Sequence, residues 1–225
     1  MRKILNIIRK ILSIPKTIYV NFKLFPVKIA VHFPMYVHYK TKIGHIERNS
    51  VKLHKVKRGI VQIGFHGTEG IPCALNDSCY IEFRKGSEVS FLGTAMIARG
   101  GSIRVGGYLK IGDGFSCNVN TMISCNYHIE FGERCMLGWN VNVRDSDNHF
   151  VIEENVEKTF DSAEVIIGNH VWIASYADVL KGSIIPENSI VAYRALVTKP
   201  FNAKTGLMLA GCPAKIVKEN ISWRA

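Results

Sequence analysis

The sequence predicts an all-β protein: a parallel β-helix with a basic helical arm before it and a short tail after it. Three observations support this prediction. Apolar residues recur at every sixth position through much of the chain, a basic and apolar stretch precedes them, and the composition is that of a folded protein. With 225 residues, 47% of them apolar, and only 7 prolines, the chain has enough apolar mass for one sizeable core.

The arm, residues 1–58, differs from the rest of the chain in charge. It holds 14 of the 29 Lys and Arg residues and one of the 18 Asp and Glu residues, so its formal charge is +13, whereas residues 59–225 sum to −2. Between residues 4 and 14 most apolar residues would share one side of a helix. The pattern suits two alternatives that can coexist: contact of residues 1–36 with an anionic membrane surface, or packing on the protein's own body or on a neighbouring subunit.

Targeting signals are not expected. No run of 18 uncharged apolar residues is present, which argues against a membrane-spanning helix. Arg9 and Lys10 interrupt the first apolar stretch and no small-residue cleavage site follows, which argues against a secretory signal. We expect a cytoplasmic protein, with peripheral contact at the inner face of the cytoplasmic membrane as an option. No nucleic-acid partner is expected, because no recognition motif accompanies the basic arm.

The six-residue step organises residues 59–202, the predicted β-helix domain. Neither a helix nor a simple strand has this period, whereas short strands joined by tight bends do. Three such strands make one triangular coil, with one apolar side chain of each strand pointing into a narrow core. The step recurs without a gap at Ile167, Ile173, Val179, Ile185, Val191 and Val197, and upstream in two registers at Val105, Ile111, Cys117 and Ile123 and at Phe131, Leu137 and Val143.

The six cysteines show no spacing typical of a metal site, and no metal is expected. Cys117, Cys125 and Cys135 stand where the periodic pattern needs a core residue. We interpret them as reduced thiols that serve as small apolar side chains.

A loop, residues 150–165, interrupts the step, because its residues cannot fill the core positions. His149 directly precedes it, so an imidazole is expected at the mouth of the loop. Imidazole titrates near neutral pH and can accept the proton of an attacking hydroxyl. The remaining residues, 203–225, form a tail that we expect to help cover an open end of the coils.

Four stretches resemble the left-handed β-helix acyltransferases, the hexapeptide-repeat family. Within that family they are most similar to the maltose and galactoside O-acetyltransferase branch and its relatives in polysaccharide biosynthesis. The stretches are IGDGFSCNVNTMI from Ile111, FGERCMLGWNVNVRDSDNHF from Phe131, IGNHVWIASYADVLKGSIIPENSIVAYRALVTK from Ile167 and GCPAKIVK from Gly211. The resemblance implies a left-handed β-helix, a homotrimer, and acetyl-CoA bound in the cleft between neighbouring chains.

The same resemblance implies site residues. It places His149 at the catalytic histidine and Asn118 at an asparagine that contacts the acceptor. Either Asp145 or, as we prefer, Asp147 could accept the second ring N–H of the imidazole. The acetyl-CoA cleft is expected to involve Trp172, Ala174, Ser175, Tyr193, Thr198, Lys199, Lys215 and Lys218. A backbone N–H near Ala174 or Ser175 would stabilise the oxyanion, and the lysines would face phosphates.

Several residues differ from those of this branch, and the differences indicate a different acceptor. Tyr193 and Arg194 replace a small pair of residues, and Cys125 and Asn126 stand where relatives carry an acceptor-binding acid. Together with the long basic arm, these departures favour a lipid-linked or polymeric glycan over a small free sugar.

The leading hypothesis is transfer of acetyl from acetyl-CoA to a sugar hydroxyl of a surface polysaccharide or its lipid-linked precursor, with His149 as general base. Three alternatives stay open. The acceptor could be the nitrogen of an amino sugar or the hydroxyl of serine, and the protein could be a non-catalytic β-helix trimer. A metal-dependent hydratase is disfavoured, because His128, His149 and His170 include no close pair.

Overall fold

The computed structural model describes residues 2–67, 78–149, 151–153, 156–158, 162–204 and 206–224. Cys73 and part of the predicted loop, residues 150, 154–155 and 159–161, lie outside the described residues. Three helices occupy the arm: α1 (Arg2–Leu12), α2 (Ile14–Leu24) and α3 (Val27–Ala30).

The strands are short, mostly two to five residues, and follow one another with tight bends between them. In chain order they are β1 (Met35–Val37), β2 (Lys42–Ile46), β3 (Val51–Leu53), β4 (Val61–Ile63), β5 (Tyr80–Phe83), β6 (Glu88–Phe91), β7 (Ala95–Ile97), β8 (Ser102–Val105), β9 (Tyr108–Ile111), β10 (Phe115–Cys117), β11 (Met122–Cys125), β12 (His128–Phe131), β13 (Met136–Leu137), β14 (Asn142–Arg144), β15 (Val151–Glu153), β16 (Val156–Lys158), β17 (Val165–Ile167), β18 (Trp172–Ile173), β19 (Asp178–Val179), β20 (Ile184–Ile185), β21 (Ile190–Val191), β22 (Leu196–Val197), β23 (Gly206–Ala210) and β24 (Lys215–Ile221).

Three sheets form the sides of a triangular column, and each coil adds one strand to each side. The first side has the order β1-β4-β7-β10-β13-β18-β21-β23-β24, the second β2-β5-β8-β11-β14-β19-β22, and the third β3-β6-β9-β12-β17-β20. Their pairings are parallel except for β23 with β24. This architecture is the left-handed parallel β-helix, so the predicted fold class is confirmed.

The core is the column's interior, and it contains the residues of the six-residue step. All thirteen residues named for that step are buried, with at most 2% of each side chain exposed. Phe115 and Phe131 are among the largest, with ring centroids 5.0 Å apart. A parallel sheet buried on its inner face needs this steady supply of apolar side chains, one from each strand.

The cysteines predicted for the core lie there. Cys117, Cys125 and Cys135 are each at most 2% exposed, and their thiols are free. Burial raises the pKa of Cys117 to about 12 and that of Cys135 to about 11, so both stay protonated at neutral pH. A buried, protonated thiol is a poor nucleophile, which is consistent with a packing role.

Two corners of the column matter for the site. The first corner is the bend from the first side to the second, and it includes residues 118–121, 138–141, 174–177 and 192–195. The second corner is the bend from the second side to the third, and it includes residues 126–127, 145–146, 180–183 and 198–200. At the first corner four successive coils place a non-glycine residue in the left-handed region: Asn120, Asn140, Tyr176 and Arg194, with φ between 53° and 62°. Asparagine tolerates this conformation well, whereas tyrosine and arginine adopt it rarely.

The stack of coils begins earlier than the sequence suggests. β1 pairs with β4, and β2 and β3 pair with β5 and β6, so the first coil lies within residues 35–53 of the predicted arm. This coil is hard to see in the sequence, because the pairing of β2 shifts register between Ile43 and Ile46. At the other end, the predicted tail supplies β23 and β24, which extend the first side.

Helix α2 covers the open edge of β1 with polar side chains. Asn21 Nδ2 donates to the carbonyl oxygen of Met35 at 2.7 Å, and its Oδ1 accepts from the Met35 amide at 3.1 Å. Thr17 Oγ1 likewise accepts from the amide of Val37 and donates to its carbonyl. Side chains of α2 therefore satisfy the backbone hydrogen-bonding groups of Met35 and Val37 at this edge. This prevents the edge from pairing with another strand.

Among the described residues, no helix has the length and the hydropathy needed to cross a bilayer.

Candidate functional site

His149 lies at the second corner, where the chain leaves the coil after β14. Its side chain is exposed, as the prediction requires. The preceding residue is fixed at this corner, because Asn126 Nδ2 donates to Asn148 Oδ1 at 2.7 Å. An antiparallel bridge between Ser146 and Ser162 closes the root of the loop, and β15 and β16 form a hairpin beyond it. The imidazole is therefore displayed from an anchored position.

The two aspartates before His149 have different partners. Asp145 is fully buried, and its two carboxylate oxygens accept hydrogen bonds from the amides of Asn126 and Tyr127, each at 2.8 Å. Asp147 is exposed and pairs with Lys181 Nζ at 2.6 Å. Among the described residues neither carboxylate contacts the His149 imidazole. The orienting role of Asp147 stays a prediction, and the anchoring role of Asp145 is one that the sequence did not suggest.

The first corner stacks Asn118, Gly138 and Ala174 in successive coils. The amide of Asn118 donates to Leu137 O, and the amide of Gly138 donates to Ile173 O. With coils ~4.8 Å apart, Asn118 lies about 10 Å along the column from Ala174. Asn118 Oδ1 accepts from the amide of Val119, and its side-chain NH₂ has no partner among the described residues.

Of the two amides predicted near the oxyanion, Ser175 is the one available. The Ala174 amide donates to Val191 O at 2.8 Å, within the ladder between coils. The Ser175 amide has no acceptor in the part of the chain that the structure describes, while Ser175 Oγ accepts from the Trp139 amide at 3.0 Å. Gly138 permits this close packing, because a Cβ there would lie 2.6 Å from Ser175 N. A fixed, unused N–H at a corner is the type of donor that stabilises an oxyanion.

An exposed aromatic and cationic cluster adjoins Ser175 at the first corner. The rings of Tyr176 and Tyr193 lie 5.5 Å apart, and the Arg194 guanidinium lies 5.7 Å and 5.4 Å from their centroids. Tyr193 was predicted from the resemblance. Tyr176 was not predicted, although its place directly after Ser175 in the sequence is a signal that could have found it.

Trp172 lies on the outer face of the first side. Its ring is 6.0 Å from that of Trp223, which the tail brings back to this side. Trp223 stacks on His170 with the ring centroids 4.3 Å apart, and its Nε1 donates to His170 O at 2.8 Å. Lys215 and Lys218 are exposed on β24, at the end of the same side.

Thr198 and Lys199 lie elsewhere, at the second corner directly after β22, and both are exposed. The predicted cofactor residues therefore divide between two regions of one chain: the first side together with the first corner, and the second corner. The second side separates these corners, and a four-residue strand such as β11 spans about 13 Å. A groove of about 430 Å³ on the third side, lined by Lys110 and Glu130 among others, contains none of the predicted residues.

The three equally spaced histidines do not meet. His128 pairs with Glu130 at 2.8 Å on the third side, His149 is at the second corner, and His170 stacks on Trp223. Within the described ranges, no group of three His, Cys, Asp or Glu side chains is arranged to hold a metal ion.

Comparison with known proteins identifies relatives. No protein-family profile matches the chain. The chain is 30% identical over 145 residues to the polysialic acid O-acetyltransferase of Escherichia coli O1:K1, an alignment that covers 64% of this chain and 44% of that protein. It is 42% identical over 96 residues to the polysialic acid O-acetyltransferase of Neisseria meningitidis, covering 42% and 44%.

Over part of its length, this chain is similar to sugar O-acetyltransferases. The resemblance inferred from the repeats is therefore confirmed. Among solved structures, galactoside acetyltransferase in complex with coenzyme A matches at 26% identity with a TM-score of 0.43, covering 49% of this chain and 55% of that one. The chain spans about half the length of the curated O-acetyltransferases it matches.

Proposed function

We propose that the protein transfers an acetyl group from acetyl-CoA to a sugar hydroxyl of a surface polysaccharide or its lipid-linked precursor. The observation that carries this proposal is a pair of groups on neighbouring corners: the exposed imidazole of His149 and the amide of Ser175, which has no acceptor among the described residues. The similarity to two polysialic acid O-acetyltransferases supports a polymeric sugar as acceptor. A cytoplasmic location, where acetyl-CoA would be available, is part of the proposal.

The chemistry assigns one step to each group. His149 takes the proton of the acceptor hydroxyl while the oxygen attacks the thioester carbonyl carbon, forming the new C–O bond. The negative charge that develops on the carbonyl oxygen is stabilised by the Ser175 N–H. The C–S bond then breaks, the imidazolium returns the proton to the leaving thiolate, and the products are an acetyl ester and CoA. Asn118, whose NH₂ has no partner in the described part of the chain, positions the acceptor.

The separation of the two corners supports a site between two copies of the chain. Within one column, His149 and Ser175 are on opposite edges of the second side. In a homotrimer the second corner of one column can face the first corner of the next, which would bring His149 of one chain to Ser175 of another. Thr198 and Lys199 would then join Trp172 and Tyr193 of the neighbour in one cleft. The phosphates of CoA would be met by Lys199, Lys215 and Lys218.

The cluster at the first corner favours an extended acceptor. Tyr176 and Tyr193 present exposed rings, and an exposed aromatic face next to a cation suits a sugar that carries a negative charge. Arg194 supplies that cation. A polymer can contact this cluster while one of its hydroxyls reaches the imidazole.

The proposal is tested with the purified protein, acetyl-CoA and a panel of oligosaccharides that includes polysialic acid, by following CoA release and product mass. We expect a gain of one acetyl group that is removed by mild base, as esters are. An acetylated product stable to mild base would instead show an amide and favour an amino sugar as acceptor. Failure to bind acetyl-CoA in calorimetry would overturn the proposal and favour the non-catalytic trimer.

A mixing experiment tests the shared site. We expect His149→Ala chains and Trp172→Ala chains to be weakly active alone, and to regain activity when they are unfolded together and reassembled. In a random mixture about a quarter of the interfaces would combine an intact His149 with an intact Trp172. Mixing the folded proteins without reassembly is the control. A reassembled mixture as inactive as its parts would show that each site belongs to a single chain.

A further inference from the structure

The arm displays a stripe of apolar side chains to the outside. Ten of the 17 exposed large apolar residues found in the described chain lie between residues 7 and 31. They are Ile7, Ile8, Ile11, Leu12, Ile14, Ile18, Tyr19, Phe22, Val27 and Val31, with exposures from 40% to 62%. Five of them, Ile7, Ile11, Ile14, Ile18 and Phe22, follow one another at steps of three or four residues. They therefore share one face of α1 and α2.

The stripe is continuous across the junction of the two helices. The Ser13 amide donates to Arg9 O, and the Thr17 amide donates to Ser13 O, so the helical hydrogen bonding continues through the junction. Ser13 itself has helical backbone angles. A surface of roughly four turns is thus presented as one ridge.

The inner face of α2 carries polar side chains as well as apolar ones. Its inner face contributes the polar groups that satisfy the edge of the first coil, from Thr17, Asn21 and Lys16. Lys16 Nζ donates to Tyr39 O and Thr41 O, each at 2.6 Å. Val20 and Leu24 are the apolar residues of α2 that are buried. The other apolar residues have been left on the outer face, which is unusual unless something covers them.

The charge around the stripe favours one kind of partner. No acidic residue precedes Glu47 in the sequence, and Lys10, Lys23 and Lys28 are exposed along the arm. A second copy of the arm would bring like charges together, which disfavours contact between two arms. A partner with an apolar interior would match the stripe, and a negatively charged boundary on that partner would match the lysines.

We propose that the outer face of α1 and α2 docks on the surface of an anionic lipid bilayer, lying in the plane of the interface. The apolar stripe enters the boundary between headgroups and acyl chains, and the lysines contact the anionic headgroups. The polar inner face holds the column to the arm, so docking requires no rearrangement of the first coil. This inference stands on the arm alone and does not depend on the proposed acetyl transfer.

The test uses the full chain and vesicle flotation. Vesicles of phosphatidylcholine with phosphatidylglycerol are compared with vesicles of phosphatidylcholine alone. We expect the protein to float with the anionic vesicles and to do so less at high salt, because the attraction of the lysines is screened. Absence of flotation with the anionic vesicles would overturn the proposal.

Variants separate the two contributions. Ile11→Ser with Ile18→Ser should weaken binding to the anionic vesicles at least about tenfold, because two isoleucines no longer enter the lipid. Lys23→Glu with Lys28→Glu should remove most of the dependence on anionic lipid. Val56→Ser with Val217→Ser is the matched control, since these residues are exposed but outside the stripe, and it should bind as the wild type does.

The variants also decide between lipid and protein as the partner. All three double variants should have the melting temperature of the wild type, because the substituted side chains are exposed. If Ile11→Ser with Ile18→Ser bound vesicles as the wild type does, the stripe would not be the docking face. If that variant instead changed the oligomeric size in light scattering while vesicle binding was unaffected, the stripe would be a contact between copies and the proposal would fail.

Discussion

Replacing His149 by Gln is expected to lower kcat for acetyl transfer about 10²–10⁴-fold, the contribution typical of a positioned general base. Glutamine keeps a polar side chain of similar size but cannot accept the hydroxyl proton. Because His149 is exposed at the loop mouth, the substitution should leave the melting temperature unchanged. CoA release at saturating acetyl-CoA and acceptor measures the effect.

The matched control for this variant is His54→Gln. His54 is also an exposed histidine, but it lies beside the first coil, far along the column from the candidate site. It should retain full turnover. Unchanged kcat in His149→Gln would remove the base from the proposed mechanism, while leaving the fold and the homology untouched.

The Asp145→Asn substitution is expected to destabilise the protein by about 3 kcal/mol. One oxygen that accepts a backbone N–H would be replaced by an NH₂ group, leaving a buried donor facing a donor, and the remaining bond would lose its charge. For a chain of this length, that should lower the melting temperature by about 6–12 °C. Thermal unfolding followed by circular dichroism measures the shift.

Asp147→Asn is the matched control, two residues further on. Its ion pair with Lys181 is at the surface, where such pairs contribute less than about 1 kcal/mol. The melting temperature should therefore change little. Equal destabilisation by the two variants would contradict the view that Asp145 anchors the root of the loop and Asp147 does not.

The column could be predicted because its core follows a local rule. Each strand places one apolar residue inward, so Ile167 and its successors mark the coils without any knowledge of distant contacts. The cysteines in the core were predicted for the same reason. The first coil escaped prediction, since the register shift in β2 breaks the step that the other coils keep.

The chemistry was harder to predict than the architecture, because it depends on which hydrogen bonds are already used. From the sequence, the amides of Ala174 and Ser175 were equally suitable as oxyanion donors. Asp145 and Asp147 were both candidates for the partner of the imidazole. Only the pairing between coils shows that the Ala174 amide is used by Val191 and that Asp145 serves the turn at Asn126. The separation of Thr198 and Lys199 from the other predicted cofactor residues likewise depends on the bends, which no local pattern encodes.

The regular stacking turns the column into a spacer of defined height. β18, which carries Trp172, is the sixth strand of the first side, five steps from β1, so it stands about 24 Å from the strand on which α2 rests. Each added or deleted coil would raise or lower it by one rung of ~4.8 Å. The distance between Trp172 and the arm is therefore set by the number of coils, independently of any residue of the candidate site.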